Sequence, residues 1–169
     1  MTASVLLDTS FLISLVDGNR PNHGVAAKYY RLMLEQQVPM YFSAIVAAEF
    51  GIKQAITDLP LRNFRPIPFN IPHGVAAAHF WNALLPRDAT TPRHVVRDDV
   101  KLIAQACHEA IPFILTEDAS TLYKYCERLK AAGQCSIRAI TLADGFDPNA
   151  FREDGQRGLA LEDDSTGDE

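Results

Sequence analysis

The chain has 169 residues, 47% of them hydrophobic, which suits one domain with a sizeable buried core. Its net charge of −5 belongs to one end: residues 150–169 hold seven of the 21 acidic and two of the 16 basic residues, leaving 14 of each in residues 1–149. The apolar N-terminus carries Asp8 and no basic flank, which argues against a signal peptide or a membrane span. The three cysteines are odd in number and lack C-x-x-C spacing, which fits a reduced, cytoplasmic setting better than a disulfide framework.

The stretch "SVLLD" (4–8) reads as a short buried strand ending on Asp8, and "FLISLVDG" (11–18) as a helix that stops at Gly18. A helix follows in "NHGVAAKYYRLMLEQQ" (22–37), with Val25, Tyr29, Leu32 and Met33 on one face. "VPMYFS" (38–43) predicts a second strand, and "AIVAAEFGIKQAI" (44–56) a helix capped by Ser43. Pro60, Pro66, Pro68 and Pro72 exclude one continuous helix across 59–73.

Helical pattern resumes in "PHGVAAAHFWNALL" (72–85), breaks at a loop, "PRDATTPRHVV" (86–96), and returns in "RDDVKLIAQACHEA" (97–110), with Leu102, Ile103, Ala106 and Ala110 along one side. "IPFILT" (111–116) predicts a third buried strand. "DASTLYKYCERLKAAG" (118–133) predicts a helix closed by Gly133, and "SIRAITL" (136–142) a last strand. The alternation predicts an α/β fold, a three-layer sandwich with a mostly parallel central sheet flanked by helices. The globular unit is expected over residues 1–149. The acidic segment 150–169, Gly-rich and poor in bulky apolar residues, is expected to be a disordered tail.

In such sheets ligands sit beyond the carboxyl ends of the strands. Asp8 and Asp118 each follow an apolar strand, Asp99 opens the helix before the third strand, and Glu49 interrupts an apolar helix. Each acid has an ordinary reading as a helix cap, a charge favoured by the helix dipole, or a solvated face. Taken together, they place carboxylates at one sheet edge. Four carboxylates in one place repel, by roughly 4 kcal/mol per pair at 4 Å and an effective dielectric near 20. A divalent cation relieves that, and all-oxygen ligands suit Mg²⁺ or Mn²⁺. The five histidines show no zinc-site spacing.

The segments "LLDTSFLISL", "FSAIVAAEFGI", "RDDVKLIAQA" and "FILTED" stand in the order found in PIN domains of the VapC-like toxin group, and the chain resembles that family over residues 4–145. The resemblance implies a PIN-like fold with Asp8, Glu49, Asp99 and Asp118 as the acidic quartet, both catalytic and metal-binding. The family's spacing to Ala106 favours Asp99 over Asp98 as the third acid. Thr9, Ser10 and Thr116 are candidates for orienting the carboxylates, with capping as their ordinary alternative.

The resemblance further implies RNA as substrate, a homodimer, and a small antitoxin partner. Arg87, Arg93, Arg97 and Lys101 form a candidate nucleic-acid contact beside the acids. For Phe64, Phe69 and Trp81, core packing is a stronger reading than base stacking. A haloacid-dehalogenase-type phosphatase is disfavoured because Ser10 stands where its second Asp belongs, and a dinucleotide-binding protein because no G-x-G-x-x-G follows the first strand. The alternative from a different class is a PIN-like nucleic-acid or protein-binding module without catalysis.

Overall fold

The computed structural model describes residues 3–86 and 93–152, without the side chains of Arg93 and Val95. Five strands form one sheet: β1 (Val5–Leu7), β2 (Met40–Ser43), β3 (Phe64–Ile67), β4 (Phe113–Thr116) and β5 (Arg138–Thr141). Their order is β3-β2-β1-β4-β5, and every pairing is parallel. Six α-helices cover it: α1 (Thr9–Val16), α2 (His23–Glu35), α3 (Ala44–Lys53), α4 (Ile71–Ala83), α5 (Arg93–His108) and α6 (Leu122–Ala131). The three-layer α/β expectation holds, with a sheet that is wholly parallel.

The apolar runs explain the central strands. Leu6, Leu7, Ile114 and Leu115 have no solvent exposure, as strands covered on both faces require. Ser43 caps α3 by accepting the Ile45 N–H at 3.1 Å, and Gly133 follows the end of α6 in left-handed backbone (φ 66°).

Four differences from the sequence reading have physical causes. The proline-rich stretch contains β3, which the alternation of strand and helix does not signal. β3 pairs only with β2, so Pro66 sits on an edge strand, where a missing N–H is tolerated. α5 starts at Arg93, within the expected loop 86–96, and ends at His108, leaving Ala110 exposed at φ 53° instead of on the helix face. α1 begins at Thr9, directly after β1. Core packing also runs past residue 149: Ala150 and Phe151 are buried, and Phe151 meets Tyr29 and Phe113 edge-on. The rest of the expected tail, 153–169, and Arg87 lie outside the described residues.

The strand order sets the site. The chain runs outward from β1 through β2 and β3, then returns to place β4 on the other side of β1. The β1/β4 junction is therefore the topological switch point, where a crevice opens beyond the strand ends. Asp8 immediately follows β1, and Asp118 lies two residues beyond β4.

Candidate metal centre at the sheet edge

A cavity of about 470 Å³ lies at this junction, lined by Asp8, Glu49, Asp98, Asp99, Asp118 and Arg20. All four acids of the expected quartet share it, with Asp98 on its wall. Thr9 and Ser10 also line it, as do Lys53 and His94.

Asp8 occupies the N-cap position of α1 but makes no side-chain capping bond there. Its Oδ2 instead accepts the hydroxyls of Ser10 (2.5 Å) and Thr116 (2.8 Å). Asp8 is 6% exposed, and burial pushes its carboxyl above the usual range despite those two donors. Glu49 projects from α3 and accepts the Thr9 hydroxyl at 2.5 Å. Burial raises its pKa, and the nearby charges of Asp8 and Asp98 add to the rise. Thr9, Ser10 and Thr116 each donate a hydroxyl to one of these carboxylates.

Asp118 differs. Its Oδ1 accepts the backbone N–H groups of Ser120 and Thr121 at 2.7 and 2.9 Å, and Oδ2 accepts the Thr121 hydroxyl. Burial pushes its pKa up, but these donors outweigh it and the net shift is downward. Asp118 thus braces the turn into α6 and faces the cavity as an anion.

Asp99 and Asp98 separate clearly. Lys101 pairs with Asp98 at 2.8 Å. Asp99 is pushed up to about 8 by burial first, then by the charges of Asp8, Asp118 and Glu49, against a hydrogen bond with Thr121. Its Oδ2 is buried with no hydrogen-bond partner. A buried acceptor with nothing to accept, in a cavity lined by three other carboxylates, is the pattern expected of an oxygen open to a cation. The donor set is carboxylate and hydroxyl oxygen, which fits Mg²⁺ or Mn²⁺. Asp8, Glu49, Asp99 and Asp118 are the residues that would hold the ion.

Besides Arg20 and Lys53 on the cavity wall, two residues that brace the site are absent from the sequence reading. Glu117 turns away from Asp118 and gathers the loop after α1. It accepts from Ser14 at 2.9 Å, Arg20 at 2.6 Å and Asn22 at 2.8 Å. Burial raises its pKa, but these three partners outweigh it and hold it low. Thr121 is the second, placed between Asp99 and Asp118. No motif in the sequence marks either residue.

Of the expected nucleic-acid contacts, Arg97 is exposed on α5 with its guanidinium 6.0 Å from the Trp81 ring centre. Lys101 is partly exposed and tied to Asp98. Arg93 lies on α5, and its side chain falls outside the description.

A second cluster lies nine residues along α5 from Asp99, about 13 Å at 1.5 Å per residue. Ligand atoms of His73, His108 and Glu109 lie within 4.8 Å of one another. There, His73 Nδ1 accepts the Asn70 N–H at 3.0 Å. The ring proton must then sit on Nε2, which donates to Glu109 at 2.7 Å. With neither nitrogen free, this arrangement is a cap for α4 rather than a metal site.

No protein-family model and no curated protein sequence matches the chain. Solved structures do match it. FitAcB from Neisseria gonorrhoeae superposes with a TM-score of 0.56 at 19% identity, covering 85% of this chain and 97% of that one. VapBC2 from Rickettsia felis, bound to a DNA fragment from its promoter, gives 0.56 at 13% identity over 81% of this chain and 97% of that chain. VapC20 from Mycobacterium tuberculosis, a toxin that cleaves the sarcin–ricin loop, gives 0.53 at 19% identity over 80% and 99%. The chain therefore has the fold of a VapC-type PIN domain.

Proposed function

We propose that the protein is a Mg²⁺- or Mn²⁺-dependent endoribonuclease that hydrolyses RNA phosphodiester bonds. The observation that supports it most is the convergence of Asp8, Glu49, Asp99 and Asp118 on one cavity, with Asp99 Oδ2 left unpartnered. The likeness in fold to VapC20, a toxin that cleaves the sarcin–ricin loop, points the same way.

When bound, a divalent ion here would lower the pKa of a coordinated water and offset charge on the phosphate. The chain's own residues do the rest. Ser10 and Thr116 fix Asp8, Thr9 fixes Glu49, and Thr121 fixes Asp118. Asp99, pushed up to about 8, favours its protonated form at neutral pH without metal and would release that proton in holding a cation. Arg20 and Lys53 on the cavity wall supply positive charge near an entering phosphate.

The same reading makes the chain the toxin of a toxin–antitoxin pair, active as a homodimer in the cytoplasm and blocked by a small antitoxin. The VapBC2 structure among its fold relatives supports the antitoxin part of that reading. All three cysteines are free thiols, and among the described residues no helix is long and apolar enough to cross a membrane.

The test is cleavage of a panel of RNAs with Mg²⁺ or Mn²⁺, comparing the natural chain with Asp8→Asn. Metal-dependent cleavage that disappears in the folded variant is the expected result. Cleavage without metal that survives Asp8→Asn would overturn the proposal. Metal-dependent RNA binding without any cleavage would favour a binding module instead.

A further inference from the structure

A second cavity, of about 260 Å³, lies between α4 and α5. Phe69 and Trp81 line it, with Ala77, Ala78 and Val100 as apolar walls and Arg97 and Lys101 at its polar side. Sequence reasoning favoured core positions for all three aromatics nearby. Phe64 is buried, and Phe69 and Trp81, half-buried, pack against the core while also lining this cavity.

Its position relative to the acidic site is defined by α5. His94 and Asp98, one helical turn apart, line the acidic cavity; Arg97 and Lys101, also one turn apart, line the apolar one. The 2.8 Å Lys101–Asp98 ion pair joins the two lining sets, so the cavities are neighbours across one ridge. The volume is slightly below that of ordinary small-molecule sites, which start at about 300 Å³, and suits one flat ring system.

The chemistry of the walls selects among occupants. The half-buried rings of Phe69 and Trp81 line the cavity, Phe69 with His73 5.5 Å away and Trp81 with the Arg97 guanidinium 6.0 Å from its ring centre, so the walls are aromatic and cationic together. α4 contains no acidic residue, so an anionic strand crossing its surface meets no repelling charge there. Lys101 neutralises Asp98 on the intervening ridge.

We propose that this α4–α5 cavity is a nucleobase subsite, which takes one unpaired base of a single-stranded RNA whose backbone passes the acidic cavity. The inference rests on the RNA reading above and adds where, and by what contacts, the strand is gripped. Trp81 stacks the base, and Arg97 meets an adjoining phosphate, while Lys101 stays paired with Asp98. Recognition by stacking selects unpaired RNA over duplex, because a paired base has no free face to offer.

Trp81 is the chain's single tryptophan, so its emission reports occupancy of this cavity directly. The experiment uses the full chain as Asp8→Asn, without metal, titrated with a mixed-sequence single-stranded RNA 8-mer (about the span of one single-strand site). Saturable quenching of Trp81 emission is expected. Ala78→Leu fills the cavity from an exposed helix position and should bind the same RNA about tenfold more weakly, with far-UV circular dichroism unchanged.

RNA binding seen by fluorescence anisotropy with no change in Trp81 emission, or with natural affinity in Ala78→Leu, would overturn the subsite. So would a change of oligomeric state in Ala78→Leu with RNA affinity intact, which would make the groove a contact between copies of this chain. Absence of RNA binding overturns it as well. Metal-dependent cleavage by the natural chain is scored separately, so quenching without cleavage would sink the nuclease reading alone, and cleavage without quenching the subsite alone.

Discussion

Thr116 donates its hydroxyl to Asp8 Oδ2 at 2.8 Å, joining the ends of the two strands that flank the switch point. The same oxygen of Thr116 accepts the Asp118 N–H at 2.9 Å. One fully buried threonine thus sets the direction of one acid and the backbone of another. Thr116→Val keeps the shape but removes both bonds. It is expected to lower Mn²⁺ affinity about 10- to 100-fold by titration calorimetry, as loss of a ligand-orienting contact does. The orphaned N–H should also cost about 1–3 kcal/mol of stability by denaturant unfolding.

The raised carboxyls make metal-free stability depend on pH. Asp8, Glu49 and Asp99 all have folded-state pKa values above their ordinary ones, with Asp99 at about 8. Between about 4 and 8 the folded chain holds protons that the unfolded chain has released, so stability falls as pH rises through that window. Asp118 and Glu117 are shifted downward, so their stabilisation is lost only on the acid side, below their ordinary values of 3.8 and 4.5. Melting temperature in a chelator should therefore decline from weakly acidic pH towards pH 8. Saturating Mn²⁺ should flatten or reverse the decline, because the cation takes the protons' place. A chelator profile that rises steadily to pH 8 would show that the acids are not strained together.

Asp99→Asn and Asp98→Asn should behave differently. Asp99 is coupled to the other three acids, whereas Asp98 is engaged by Lys101 on the rim. Above pH 8, Asp99→Asn removes a buried charge and should raise the metal-free melting temperature while abolishing Mn²⁺-dependent cleavage. Asp98→Asn loses only a partly exposed ion pair, worth about 0–1 kcal/mol, and should retain cleavage. Equal loss in both variants would mean that the third acid is shared.

Much of this was legible in the sequence because the signals are strong where burial is complete. "VLL" and "FILT" are fully buried strands, and an apolar run stopped by Asp announces both the strand and its functional end. Glu49 stood out for the same reason, as a charge in an apolar helix. What stayed hidden depends on tertiary neighbours. β3 exists because β2 offers it a free edge, and its prolines mask it. The sequence before α5 contains Pro92 and shows no periodic signal. Asp98 and Asp99 are adjacent, so only packing of α5 decides which carboxylate turns inward. Thr121, Glu117 and Arg20 have no motif, because their roles arise from partners about 20 to 100 residues away.

Glu117 carries the last of these roles. Its carboxylate anchors Ser14, Arg20 and Asn22 to the end of β4, and Ser10 Oγ accepts its backbone N–H at 2.8 Å. The loop between α1 and α2, with the Arg20 wall of the acidic cavity, is therefore fastened to the strand that carries Asp118. Glu117→Ala leaves the Ser14 hydroxyl buried without its acceptor and releases Arg20. About 2 kcal/mol of destabilisation is expected, because the lost bonds are to a charged group. That corresponds to roughly 4–8 °C in melting temperature for a chain of this size. Glu117→Gln keeps one acceptor oxygen and should recover part of the stability. Neither variant removes a metal-holding carboxylate, so Mn²⁺ should still bind by calorimetry in both. Loss of Mn²⁺ binding with the fold retained would place Glu117 among the acids that hold the cation.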